Sequence, residues 1–92
     1  MRTALAWYRR EDYDRWLAMV DDRDVWEDTY DEWLACVEDL LRQKRPPGTT
    51  IVKTILDPDA FAAWCRARGR KLDGSARADY AVESMVKGKT SG

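Results

Sequence analysis

The chain has 92 residues, 16 lysines and arginines against 17 aspartates and glutamates, and no histidine. A chain this short sustains one core, and a composition 45% hydrophobic and 36% charged is neither low-complexity nor membrane-spanning. Without histidine, the commonest general base and the commonest metal ligand are both missing.

Thr3–Trp7 is a candidate strand. Its apolar part, Ala4–Tyr8, is too short for the apolar region of a signal peptide, and no apolar run approaches the roughly 18 residues of a membrane span. A cytoplasmic location and no membrane contact are the expectation. A first helix is predicted over about Arg10 to Asp21, with Tyr13, Trp16, Leu17 and Val20 on one face. An acidic connection follows. Read from Asp22 it fails the EF-hand loop template, because Trp26, Glu27 and Trp33 stand at the fifth, sixth and twelfth positions.

The second helix opens on Thr29 and Glu32, a capping-box pair. Its stripe is Tyr30, Trp33, Leu34, Val37, Leu40 and Leu41, and Pro46-Pro47-Gly48 stops it. Thr49–Leu56 is short, β-branched and bounded by breakers, which predicts a strand. Asp57 then caps a third helix with Pro58 at its first position and Leu56 and Phe61 placed as a hydrophobic staple. Ala60, Phe61, Trp64 and Cys65 are its expected inward face, and Gly69 its stop. A fourth helix over Ser75 to Lys87 is expected to turn Ala78, Ala81, Val82, Met85 and Val86 inward. Residues 1–87 then make one domain, and 88–92 a flexible tail.

A single strand needs a partner for its backbone groups. Thr3–Trp7 could supply it within the chain, or the same strand of a second copy could, making a homodimer. A weak echo at an offset of 48 matches Trp7 with Ile55, Tyr13 with Phe61, Trp16 with Trp64 and Leu34 with Val82. It points to two β-α-α units. The expected fold is α+β and mostly helical, four helices packed on a minimal two-stranded sheet.

Trp7–Tyr13, Asp28–Leu34 and Asp57–Cys65 (WYRREDY, DTYDEWL and DPDAFAAWC) carry a resemblance to a family of small bacterial proteins of unknown function. The resemblance spans roughly Ala6 to Val86. It implies a single soluble domain and transfers no activity, cofactor or site.

Candidate sites are correspondingly few. Cys36 and Cys65 form no CxxC pair and are expected to be small buried hydrophobes. No serine has a histidine to activate it, and no glycine-rich phosphate loop exists. No catalytic residue, metal ligand or cofactor is assigned. Residues 1–45 hold 8 basic and 12 acidic side chains (net −4), and residues 46–92 hold 8 and 5 (net +3). Arg66, Arg68, Arg70 and Lys71 are the candidate anion contact, although cations also belong at a helix C-terminus. Trp7 and Trp26 lie outside clear helical registers and are the candidate partner contacts. The reading that results is a small non-catalytic interaction or regulatory module. Nucleic-acid or anion binding by the basic half, and a carboxylate-based metal protein or enzyme, are the alternatives.

Overall fold

The strand expected at Thr49–Leu56 finds its partner inside the chain. The computed structural model describes residues 2–88. In it β1 (Arg2–Trp7) and β2 (Thr50–Ile55) pair in parallel, from Arg2 opposite Thr50 to Trp7 opposite Ile55. Every pair is 48 positions apart, the offset of the sequence echo. Parallel strands require a crossover, and α1 (Tyr13–Met19) and α2 (Tyr30–Arg42) provide it. The second half repeats the order with α3 (Pro58–Arg68) and α4 (Gly74–Gly88). The fold is therefore α+β and mostly helical, two strand–helix–helix units joined through their strands. The expected tail at 88–92 lies outside the described residues, apart from Gly88 at the end of α4.

Local signals set the ends of the helices. On α2 the Glu32 amide donates to the Thr29 hydroxyl at 3.1 Å, and the Thr29 amide donates to the Glu32 carboxylate at 3.2 Å, which completes the capping box. On α3 the Ala60 amide donates to Asp57 at 2.8 Å. Gly69, at φ 63°, turns the chain so that its own amide reaches the Arg66 carbonyl and the Arg70 amide reaches the Cys65 carbonyl at 2.9 Å. That is a Schellman ending, open to glycine because it lacks a Cβ. The staple residues Leu56 and Phe61 are both buried.

Four expectations need correction. The first helix is split. Arg10–Asp12 form a 3-10 turn, and α1 stops at Met19 rather than Asp21. Asp21 is instead tied to the α3–α4 connection, its amide donating to the Leu72 carbonyl at 2.9 Å and its carboxylate accepting from the Leu72 amide at 2.7 Å. On α4 the buried residues are Ala76, Arg77 and Ala81, while Ala78, Val82 and Val86 face outward. The helix is rotated because Arg77 has partners inside the molecule, described below. Leu40 and Cys36 on α2 and Ala60 on α3 are exposed too. The buried arc of α2 narrows to Val37, with Tyr30, Trp33, Leu34 and Leu41 half-buried beside it.

Strand alternation puts Ala4, Ala6, Val52 and Thr54 on one sheet face. There α4 lies close against both strands. The rest of the core is aromatic. All ten rings, five Trp, four Tyr and one Phe, belong to one network of ring contacts. Seven of them, Trp7, Tyr8, Tyr13, Trp16, Trp26, Tyr30 and Trp33, come from the first unit and touch one another. Phe61 joins them to Trp64 and Tyr80 of the second, with ring centroids 5.3 Å from Trp16, 6.4 Å from Trp64 and 5.5 Å from Tyr80.

Candidate functional site

The tryptophans singled out from the sequence sit at the edge of this network. Trp26 packs on Tyr8, Tyr13 and Trp16, and its indole N–H donates to Asp22 at 3.2 Å. Trp7 meets Trp33 edge to face at 5.1 Å and carries the Lys53 ammonium 4.4 Å from its ring centroid. Both are half-buried.

Beneath Trp26 lies the polar feature that the sequence did not disclose. The Arg77 guanidinium donates to both oxygens of Asp22, at 2.9 and 2.7 Å, across 55 positions of chain. It also lies 4.7 Å from the Trp26 centroid and against the Tyr8 hydroxyl. A planar fork satisfied on both prongs and stacked on a ring is what arginine does and lysine cannot. These hydrogen bonds hold the Asp22 carboxyl below the usual carboxylate range, against the opposing effect of partial burial. Burial pushes the Tyr8 phenol up to about 12 despite the neighbouring arginine, and burial likewise pushes Tyr13 up to about 12. The partners observed for the cluster are internal, so it fastens α4 to the α1–α2 connection.

The basic candidates are also partly engaged. Arg68 lies over the Trp64 ring at 4.4 Å and 3.9 Å from Glu83, while Arg70 donates to Asp79 at 2.6 Å and to Ser75 at 3.2 Å. Arg66 and Lys71 are exposed at the end of α3. The structure therefore does not present the four as one open anion cradle. Cys65 is buried with its sulfur 3.8 Å from the Lys71 carbonyl oxygen, and burial raises its thiol pKa. Among the described residues no three Asp, Glu or Cys side chains converge as a metal ion would require.

What the molecule does present is α4. Two shallow grooves flank it, and Ser84 lines both. The larger, about 610 Å³, runs between α3 and α4 over Ala60, Ala63, Trp64 and Tyr80. Glu83 stands in its wall, accepting from the Trp64 indole at 3.0 Å and from Lys87 at 2.8 Å. The smaller, about 340 Å³, lies between α4 and β2 and is lined by Arg2, Val52, Lys53, Thr54, Ile55, Ser84 and Met85. Val82 and Val86, 50% and 58% exposed, adjoin Met85 on the helix, and Ile55 on the strand is 54% exposed. Val25 and Leu40, in the first unit, are the other large apolar residues exposed to a similar degree among the described residues, and neither lines these grooves. The sequence signal for Val82 and Val86 was present but misassigned, because helical spacing alone cannot tell an inward stripe from an outward one.

A family model described as a domain of unknown function, DUF8829, matches residues 3–91. The chain belongs to the DUF8829 family. No curated protein and no solved structure matches it. The match takes in both strands and all four helices, so the two-unit architecture of this DUF8829 chain falls within the family's own extent. No helix of the described residues is long and apolar enough to cross a membrane.

Proposed function

We propose that this DUF8829 domain is a small non-catalytic interaction module of the cytoplasm that binds a protein partner across α4 and the adjoining β2. The observation that carries this reading is the set of open aliphatic side chains, Ile55, Val82 and Val86, beside two grooves that share Ser84. Burying them on a partner would be favourable at roughly 25 cal/mol per Å² of apolar surface. The internal engagement of Arg68 and Arg70 favours a protein partner over a nucleic acid, whose affinity rests on cations available to phosphates.

Site-specific photo-crosslinking tests the reading. A photoreactive residue at Val82 or Ile55 is expected to trap one defined protein in cells, and one at the exposed Val25 of the α1–α2 connection is not. The purified partner should then bind the purified domain, and Val82→Glu should weaken that binding about tenfold, the effect of losing about 1.4 kcal/mol at a contact centre. Gel filtration over a concentration series identifies self-association if the trapped protein is a second copy. Equal trapping from all three positions, or turnover of a metabolite abolished by one surface substitution, would overturn the proposal.

A further inference from the structure

The sheet has two strands among the described residues, so β2 is hydrogen-bonded to β1 along one edge and, among those residues, has no strand on the other. The direction of its backbone groups follows from one observed bond. The Leu56 amide donates to the Trp7 carbonyl at 3.0 Å. In a parallel pair alternate residues point both backbone groups at the partner strand. Val52, Thr54 and Leu56 therefore face β1, and Ile51, Lys53 and Ile55 turn their amides and carbonyls outward. The groove beside this edge is lined by consecutive β2 residues, 52 to 55, drawn from both sheet faces.

The groove also has a sign. Its charged lining residues are Arg2 and Lys53, with no carboxylate among them. Neither side chain has an ion-pair partner among the described residues. Antiparallel pairing of β2 with β2 of a second copy would bring the two Lys53 ammonium groups together near the two-fold axis. Natural edge strands use lysine in this way to discourage self-pairing. Like charge thus argues against a second copy, and the positive charge of Lys53, which rests on the Trp7 ring rather than on a carboxylate, argues for an acidic guest.

We propose that the outer edge of β2 takes up an extended acidic segment of a partner protein as a third strand. Its backbone bonds to Ile51, Lys53 and Ile55, apolar side chains enter the groove against Val52 and Met85, and carboxylates on the opposite face of the added strand reach Lys53. This is strand addition, in which backbone bonds supply affinity and alternate side chains supply selectivity. The inference rests on the interaction reading above and names the class of partner.

The test uses the full chain and fluorescein-labelled peptides of about eight residues, long enough to match a strand. One alternates valine and glutamate, one alternates valine and lysine, and a third is the glutamate peptide N-methylated at every second amide. The glutamate peptide should bind at least about tenfold more tightly than the other two. Lys53→Glu should remove that preference, and Arg2→Glu, on the other sheet face at the exposed start of β1, should leave it, while the circular dichroism spectrum is unchanged in both. At saturation, amide exchange at Ile51, Lys53 and Ile55 should slow and that at Val52 and Thr54 should not. Equal binding of both charges, tolerance of N-methylation, or no binding at all would overturn strand addition. If crosslinking from Val82 still traps its partner, the module reading survives that outcome. If it does not, both fall.

Discussion

In the first unit the strand meets its second helix through large rings, Trp7 against Trp33 at 5.1 Å. In the second, α4 comes close to both strands through alanines, with Ala76 and Ala81 buried and Ala4 and Ala6 on the sheet face beneath. The helices of the first unit are joined by an acidic connection folded over its own tryptophan, and those of the second by a short glycine-ended turn. One plan thus yields two kinds of packing. Rings fill distance and can be shared among several helices. Alanines allow close contact and leave Val82 and Val86 of α4 facing outward.

The sharpest way to break the two units apart is at Phe61, the ring that joins their aromatic sets. Phe61→Ala should cost about 4 kcal/mol in urea denaturation, as a large-to-small change at a fully buried site. Next comes the polar tie. Arg77→Met leaves Asp22 half-enclosed beneath Trp26 without its counter-ion and should cost about 3 kcal/mol. Adding Asp22→Asn should return part of that loss, since the charge left behind is then gone.

Titration sharpens the same tie. Because the Asp22 carboxyl titrates below its usual range when folded, the unfolded chain binds the extra proton first on acidification. Its contribution is present above about pH 4 and is lost as pH falls through the folded value. Arg77→Met should flatten that acid limb. At the alkaline end Tyr8 and Tyr13 hold their protons to about 12. Stability should decline above about pH 10 as the unfolded phenols ionise first, and ultraviolet difference spectra should show two late-titrating tyrosines.

A smaller effect is expected at the end of α3. Gly69→Ala forces a Cβ into a left-handed backbone and should cost about 1 kcal/mol. Smallest of all, Val82→Ser should shift stability by no more than about 0.5 kcal/mol while weakening partner binding, as befits a residue half open to solvent. A large loss at Val82 would mean that the aliphatic edge of α4 belongs to the core.

Much of this architecture was legible in the residues. Thr29 with Glu32, Asp57 with Pro58, and Leu56 with Phe61 are local devices, each completed within a few positions, and each stands where the spacing put it. The strand pairing was legible only as a choice between Thr3–Trp7 and a second copy, and the echo between Trp7 and Ile55 leaned toward the first. The inward face of α4 was not, because it is decided by Asp22, 55 positions away. Hydrophobic spacing favoured Val82 and Val86 over an arginine, and only a distant carboxylate and a ring reverse that choice. Leu40 and Cys36 were misplaced for a related reason. The width of a buried arc depends on what covers the helix, and α2 is covered over a narrow strip about Val37.

The parallel register bears on how the chain is made. Each residue of β1 must wait for one synthesised 48 positions later. At roughly 5 to 20 residues per second, the leading strand leaves the ribosome several seconds before its mate exists. In that interval a tryptophan-rich segment stands uncovered, with only α1 and α2 able to shelter it. Translation pauses that keep Phe61 inside the ribosome should therefore raise aggregation of the nascent polypeptide, and pauses after it has emerged should not.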